Sequence, residues 1–256
     1  MQDIVFERLK ARLEDLGLTI DKVDEEGLVY IKHGENTIKI SLDNVRKSYE
    51  QEGTFDHLDN LVESIHSHLM EVPIPDWDQA YLKVYYSLFP SDYDFGDFLH
   101  EKVTDDFHKT YVFYESEQYI WINHTQLKEW QIDEQTFKQQ VAFNMNALLD
   151  ESSIETTETE DGLKLAFFET IIEGVKSALL FSQNIKEKIE PVLGWPIYCV
   201  LPVRDFCYMF SEKDKELLNR LGEIVLNEYS RSAYPVTTEA LLISDEGTRT
   251  VGKYKE

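Results

Sequence analysis

Residues 195–210 of the chain read WPIYCVLPVRDFCYMF, and this stretch predicts two apolar β-strands joined by a short connection. The runs 195–201 and 205–210 are rich in aromatic and aliphatic residues and have the length of buried strands. The charged pair Arg204 and Asp205 interrupts the apolar pattern at the connection. We therefore expect two neighbouring strands in the protein core, with a charged turn at one end.

Helical patterns flank this strand pair on both sides. Residues 175–192 predict one helix, and residues 212–231 predict another, in which apolar side chains recur at helical spacing. Upstream, residues 163–168 predict a further strand, and the polar residues 151–162 predict an exposed turn or an edge strand. The polar tail after Ser244 is expected to be frayed.

The N-terminal part of the chain predicts an amphipathic helix, a three-strand meander and two more helices. Polar, glycine-containing segments separate the three strand runs, as is typical of antiparallel meanders. The first helix is predicted at 3–16, the strands at 18–23, 28–32 and 37–42, and the later helices begin at Asp43 and Asp56.

The middle of the chain repeats this order of elements. Strand runs at 82–89, 111–114 and 119–122 precede a short helix at 123–130 and a long one at 133–149. A repeated strand–helix–helix unit is thus predicted, whether by internal duplication or by chance. Because strands and helices do not alternate regularly, the predicted class is α+β, with antiparallel meanders packed against amphipathic helices.

Pro73 and Pro75 break the apolar periodicity and indicate a linker. The prediction is an N-terminal domain at residues 1–75, with the first helix, the meander and the next helices, and a C-terminal α+β domain at residues 76–256. Because the segment is short and the apolar pattern resumes directly, a single domain is the alternative.

The charge of the chain is its strongest compositional signal. The 256 residues include 49 acidic and 25 basic ones, which gives a formal net charge of −24 at pH 7. Such a surface repels phosphates and anionic lipids, so direct binding to nucleic acid or to a membrane is not expected. A basic protein is the favoured partner, and acidity that serves only solubility is the alternative.

Common enzyme motifs are absent from the sequence. The chain contains no GxxxxGK[ST], GxGxxG, GxSxG or HExxH motif, so an enzyme is less expected than a binding protein, and no cofactor or metal is predicted. No apolar stretch has the length of a membrane span, and the N-terminus lacks signal-peptide features, so the expected location is the cytoplasm. Cys199 and Cys207 are expected to be buried, reduced strand thiols.

Four residues are candidates for a binding site: Arg204, Asp205, Asn144 and His124. The Arg204 guanidinium at the strand connection offers a planar fork for a carboxylate or phosphate, and Asp205 would orient it. The alternative is an ion pair that only locks a hairpin turn. Asn144 and His124 would lie nearby, although His124, at the start of a predicted helix, also suits a capping role.

The acidic segment 92–97 reads DYDFGD, and its alternating carboxylates are similar to the start of a calcium loop. Its glycine is one position too early, and Val103 stands where the loop requires a bidentate glutamate. The segment is therefore predicted to be an acidic surface turn.

Three motifs together place the chain near a known family. They are residues 38–49, then Ala142-Phe143-Asn144 with Leu148, then Pro202-Val203-Arg204-Asp205 between an apolar strand and a long helix. In this order, over residues 3–243, they resemble the YtpQ-like family of uncharacterised bacterial proteins, which carry a domain of unknown function. The family has a small residue where Val203 stands. The resemblance implies an α+β fold in a cytoplasmic bacterial protein, and it supplies no activity, cofactor or catalytic residue.

Charge and missing motifs together favour a non-catalytic binding or regulatory protein. Its acidic surface would engage a basic protein partner, as an immunity-type protein engages a toxin or a mimic engages a nucleic-acid-binding protein. The alternative function is an enzyme that acts on a small anionic substrate through a pocket near Arg204 and Asp205. A scaffold that is stable mainly as an oligomer is a third interpretation, and the sequence leaves the oligomeric state open.

Overall fold

The computed structural model describes residues 3–24, 27–33, 36–69, 74–115, 118–232 and 234–255. Within them, thirteen strands form three antiparallel sheets, accompanied by helices, so the predicted α+β class is confirmed. The chain divides into two compact units, of which the first is Met1–Ile74 with Ser116–Ile120 and Arg231–Ala233, and the second is Pro75–Glu115, Trp121–Ser230 and Tyr234–Glu256. The linker predicted around Pro73 and Pro75 lies partly outside the described residues.

In the first unit, one helix precedes a three-strand sheet and two helices follow it. The elements are α1 (Ile4–Asp15), β1 (Thr19–Val23), β2 (Val29–His33), β3 (Asn36–Ile40), α2 (Asp43–Glu52) and α3 (Asp56–Leu69). The strands lie in the order β1-β2-β3, which is the predicted meander. Leu9 and Leu13 of α1 are buried in one apolar core with Ile31 of β2 and Val62 of α3.

The next elements along the chain are the strands of the four-strand sheet and the helices beside them, and all of their residues belong to the second unit except residues 118–120, which are grouped with the first. The elements are α4 (Trp77–Ala80), β4 (Val84–Pro90), β5 (His100–Lys102), β6 (Phe107–Glu115), β7 (Gln118–Trp121), α5 (His124–Glu129) and α6 (Glu134–Glu151). Strand β6 pairs with β4 and β5. The strand–helix–helix order of β3-α2-α3 therefore recurs in β7-α5-α6, as the sequence predicted.

A six-strand sheet forms the rest of the second unit. The elements are β8 (Ser153–Glu158), β9 (Lys164–Glu169), α7 (Ile185–Leu193), β10 (Ile197–Val203), β11 (Phe206–Ser211), α8 (Leu217–Arg220), α9 (Gly222–Arg231), β12 (Glu239–Ser244) and β13 (Gly247–Lys253). The strand order is β13-β12-β10-β11-β9-β8. The two strands predicted from residues 195–210 thus lie side by side at the centre of this sheet, and the sheet positions the turn between them.

The predicted single helix at 175–192 is wrong. Two 3₁₀ segments, Glu173–Val175 and Ser177–Phe181, come first, and α7 begins only at Ile185. Ser177 explains the difference, because its backbone N–H donates to the Arg204 carbonyl at 2.9 Å and its hydroxyl donates to the Val203 carbonyl at 2.8 Å. These tertiary hydrogen bonds tie the segment to the end of β10.

The predicted continuous helix at 212–231 is also interrupted. A 3₁₀ turn precedes α8, and α9 starts separately at Gly222. The Tyr254 hydroxyl donates to the Leu218 carbonyl at 2.6 Å, which removes an acceptor that a continuous helix would use at this point. A Cβ atom at Gly222 would lie only 3.1 Å from the Tyr254 ring, so glycine makes this close packing feasible.

The tail after Ser244, predicted to be frayed, is ordered as an edge strand. Strand β13 pairs along β12 from Glu239↔Lys253 to Ser244↔Gly247. Its mostly exposed polar residues gave no apolar signal, which is usual for an edge strand with a solvated face. None of the helices in the described residues has the length and apolar character to cross a membrane.

Candidate functional site

The charged turn between β10 and β11 consists of Arg204 and Asp205. The last cross-strand pair before it is Val203↔Phe206. The Arg204 N–H donates to the Tyr234 carbonyl at 3.3 Å, and the Arg204 carbonyl accepts the hydrogen bond from Ser177. The turn is therefore held by neighbours on both sides, and it presents its side chains from a rigid frame.

The Arg204 guanidinium lies between two aromatic rings. Its Cζ atom is 4.4 Å from the centroid of Phe89 and 4.3 Å from the centroid of Tyr234. Phe89 is buried, Arg204 is half-buried and Tyr234 is 39% exposed. A planar cation over an aromatic face is attracted by the negative potential of the ring, so Arg204 is fixed in place and the two rings cover much of it.

More aromatic side chains continue from Phe89 toward the surface. Trp121 meets Phe89 edge to face, with centroids 4.5 Å apart, and Tyr93 lies 5.3 Å from Phe89 and 5.9 Å from Trp121. Tyr93 is 44% exposed. Phe98 packs on the same Trp121 ring at 5.0 Å. Rigid aromatic side chains that are open to solvent in this way are typical of protein interfaces.

Exposed aspartates lie on the two turns that carry Tyr93 and Arg204. Asp92, Asp94 and Asp97 are exposed on the turn between β4 and β5, and Asp205 is exposed at the β10–β11 turn. The Gly96 N–H donates to the Asp94 carboxylate at 3.2 Å, and Gly96 has a positive φ of 47°, which favours glycine. We call Tyr93, Trp121, Tyr234 and Arg204 with these four aspartates the aromatic–acidic surface.

Negative charge beside this surface affects the pKa of a neighbouring tyrosine. Burial raises the pKa of Tyr229 in α9, and the charges of Asp92 and Asp106 raise it further, against the opposing charge of Lys253. Negative charge disfavours the phenolate because like charges repel. A positively charged group that approaches Asp92 would therefore meet an attractive potential.

His124 lies at the edge of the same region. It is exposed at the start of α5, and its backbone N–H donates to the Asp97 carbonyl at 3.3 Å. The suggested capping role for His124 is wrong, because Asn123 is the N-cap and its Oδ1 accepts from the Gln126 N–H at 2.8 Å. His124 is thus next to the acidic turn, with an imidazole open to solvent.

Asn144 lies elsewhere and is structural. Its buried Nδ2 donates to the carbonyls of Tyr81 and Val84 at 2.7 and 2.8 Å, and its Oδ1 accepts from Gln140 at 2.8 Å. These contacts are at the start of β4, whereas Arg204 stacks on Phe89 near its end, about 17 Å further along the strand. The fold therefore brings Arg204, Asp205 and His124 toward one surface and leaves Asn144 out.

Two surface grooves occur in the second unit. One, of 480 Å³, is lined by Glu134, Gln135, Lys138, Gln139, Ala142 and Gln183. The other, of 310 Å³, is lined by Glu151, Ser153, Glu169, Thr170 and Ile171. Neither includes Arg204 or Asp205. In the part of the chain that the structure describes, no group of three or more His, Cys, Asp or Glu side chains is arranged to hold a metal ion.

The aromatic members of the surface were missed at the sequence level. Residues 89–98 contain four aromatic residues among aspartates, and this density was a usable signal for an exposed aromatic turn. Tyr234 had no such signal, because it reaches Arg204 only through the pairing of its own segment with the end of β10.

Comparisons with known proteins identify no relative. No family model matches the sequence, and searches of the curated proteins and of the solved structures returned no significant match. The resemblance to the YtpQ-like family therefore remains a prediction.

Proposed function

We propose that this protein is a non-catalytic binding or regulatory module that uses the aromatic–acidic surface to engage a basic protein partner in the cytoplasm. The observation that carries the proposal is the exposure of Tyr93 and Tyr234 beside two turns that carry four exposed aspartates. Aromatic anchors supply most of the binding energy in many interfaces, and a charged rim steers the partner and excludes others.

The whole chain supports the same choice of partner. Its formal net charge of −24 accelerates encounters with basic proteins and slows encounters with nucleic acids and anionic membranes. A partner with Lys or Arg side chains around an apolar patch would be complementary to this surface. A toxin neutralised by an immunity-type protein, or a nucleic-acid-binding protein blocked by a mimic, has this chemistry.

Arg204 is compatible with a basic partner despite its own charge. The rings of Phe89 and Tyr234 cover its guanidinium, and Asp205 follows it directly in the turn. In this proposal Arg204 holds the Tyr234 ring in position, and the aspartates make the electrostatic contacts.

The test is affinity capture of the tagged protein from lysate of its own host at low and at high salt, with mass spectrometry of the proteins that co-elute. We expect a basic protein that is retained at low salt and released at high salt, since screening weakens exposed charge pairs. The test variant neutralises the four rim aspartates: Asp92→Asn, Asp94→Asn, Asp97→Asn and Asp205→Asn.

A matched control removes the same charge from exposed positions on β8, on the turn after it and on the turn before β13. It carries Glu155→Gln, Glu158→Gln, Glu160→Gln and Glu246→Gln. The partner should be lost from the rim variant and retained by the control. Equal retention by both variants, or equal loss from both, would show that the aromatic–acidic surface is not the binding site.

A second pair of variants tests the aromatic anchors. Tyr93→Ser with Tyr234→Ser should abolish capture, whereas Tyr81→Ser should leave it intact, because Tyr81 is similarly exposed at 37% but lies outside the surface. Thermal unfolding of each variant must show that the fold is retained. Capture that survives the double tyrosine variant would contradict the proposal.

A further inference from the structure

Strand β8 forms one edge of the six-strand sheet. In the part of the chain that the structure describes, it pairs only with β9, from Ser153↔Glu169 to Glu158↔Lys164 and without a register shift. Five of its six residues are exposed. The strand reads SIETTE and contains neither proline nor glycine, and its isoleucine and threonines favour extended backbone. One side of a regular strand is therefore open to solvent.

The pairing pattern determines which backbone groups face this open side. The Thr159 N–H donates to the Leu163 carbonyl at 2.9 Å, so this opposite pair, just past the end of β8, is a hydrogen-bonded pair. Hydrogen-bonded and non-hydrogen-bonded pairs alternate along an antiparallel ladder, so the backbone of Glu158, Thr156 and Ile154 points away from β9. No other described residue forms a hydrogen bond with these outward groups. They can therefore pair with an added strand.

A surface groove lies at the end of the sheet edge where β8 begins. It is the 310 Å³ groove lined by Glu151, Ser153, Glu169, Thr170 and Ile171. Ile171 is 82% exposed, more than any other large apolar side chain in the described residues. An extended segment that continued past the start of β8 would reach this groove, and an apolar side chain there would cover Ile171.

The charges along this edge favour a basic segment. Glu155 and Glu158 are exposed on β8, and within the described ranges neither forms an ion pair. Glu151 adds an exposed carboxylate at the groove, whereas Glu169 is already paired with Lys176 at 3.4 Å. Another copy of this chain also carries a net charge of −24, so long-range repulsion opposes pairing between copies. Lysine or arginine side chains are the complement of this edge.

We propose that β8 is a docking site for an extended basic segment of another protein, which adds to the sheet as a further antiparallel strand. Antiparallel pairing, the pattern throughout this sheet, places the C-terminal end of the segment over the groove, beside Ile171. Backbone hydrogen bonds to β8 supply affinity, and basic side chains opposite Glu155 and Glu158 supply specificity. The site shares no residue with the aromatic–acidic surface and does not rest on the function proposed for that surface.

The test uses a synthetic peptide, TKVTKVTKL, with a fluorescent label at its N-terminus and an amidated C-terminus. Its lysines recur at every third residue, which is the spacing of Glu155 and Glu158, and its final leucine would reach the groove. We expect saturable binding by fluorescence anisotropy at low salt, and no binding of the same peptide with glutamate in place of lysine.

Hydrogen exchange on the native, unsubstituted protein then locates the peptide. Saturating peptide should slow exchange at the outward amides of Ile154, Thr156 and Glu158, because they would donate to the added strand. Failure of the lysine peptide to bind, or binding that leaves these three amides unprotected, would overturn the proposal.

A pair of substitutions at one position tests the backbone contact. Thr156→Pro removes an outward N–H and no hydrogen bond to β9, so the fold should be retained and peptide binding should weaken about tenfold. Thr156→Val keeps the N–H and should bind the peptide as the wild type does. Thermal unfolding shows whether each variant is folded. Equal affinity of two folded variants would exclude pairing along β8.

Charge variants separate this site from the aromatic–acidic surface. Glu155→Gln with Glu158→Gln should weaken peptide binding several-fold, whereas the variant with the four neutralised rim aspartates should bind the peptide as the wild type does. The reverse result would place the peptide on the aromatic–acidic surface and refute docking at β8. Light scattering that shows a dimer in the wild type and a monomer for Thr156→Pro would assign the edge to a second copy instead.

Discussion

The Arg204 guanidinium stacks on the Tyr234 ring, with 4.3 Å between its Cζ atom and the ring centroid. The same two residues are joined through the backbone, because the Arg204 N–H donates to the Tyr234 carbonyl. Thirty residues of chain separate them, so the contact fixes the segment before β12 onto the turn after β10. The exposed part of the aromatic–acidic surface depends on this link.

Replacing Arg204 should therefore weaken the fold locally. We expect Arg204→Ala to lower the free energy of unfolding by about 1–2 kcal/mol, because the stack on two rings and the packing of the side-chain stem are lost. Arg204→Lys should lower the free energy of unfolding by less, because lysine keeps the positive charge. Urea unfolding measures both. Arg249→Ala, at an exposed position of β13, is the control, with a change of less than about 0.5 kcal/mol. Equal effects at the two positions would contradict the assigned stack.

Asn144 should contribute to stability and have no role in binding. Asn144→Ala leaves the carbonyl groups of Tyr81 and Val84 without this donor, and we expect a loss of about 2–4 kcal/mol in the free energy of unfolding. Asn146→Ala on the same helix is the control, because its side chain accepts a single hydrogen bond, from the Asn184 N–H, and should cost about 1 kcal/mol. Denaturant titration distinguishes these values, and a smaller loss for Asn144→Ala than for Asn146→Ala would refute this role.

His108 should make the protein less stable as the pH falls. Burial lowers the pKa of His108 below its ordinary 6.5, and the nearby charges of His100 and Lys102 add to the effect. As the pH falls, His108 is therefore protonated in the unfolded chain at a higher pH than in the folded protein. The free energy of unfolding decreases as the pH falls through about 6.5, with a limit of about 1.4 kcal/mol per pH unit for one proton.

Thermal unfolding between about pH 7 and pH 5 tests this effect. His108→Gln should flatten the pH dependence of the free energy of unfolding that the wild type shows. An unchanged slope in the His108 variant would show that another group is responsible.

The two cysteines should be unreactive until the protein unfolds. Both are buried free thiols, as predicted, and burial raises the pKa of Cys207 to about 12 and that of Cys199 in the same direction. The thiolate is the reactive form, so an aromatic disulfide reagent at mildly alkaline pH should modify neither cysteine in the native protein and both in concentrated guanidinium chloride. Rapid modification of the native protein would show that the central strands open locally.

Local sequence patterns predicted helices and strands correctly where the contacts that form these elements are also local. The apolar stripe of α1 and the glycine-containing turns of the first meander gave elements within one or two residues of the observed bounds. The same reasoning failed for the helix predicted at 212–231, because the hydroxyl of Tyr254, more than thirty residues after Leu218, interrupts it. It failed for β13 as well, since a polar edge strand is ordered by its neighbour β12 and not by its own composition.

The sequence by itself determined the α+β class, the central pair β10 and β11, the acidic charge and the charged turn at Arg204 and Asp205, because each follows from neighbouring residues or from composition. Only the tertiary structure decided which side chains meet at that turn. Phe89, Trp121 and Tyr234 come from distant parts of the chain, and sheet pairing and strand register bring them together.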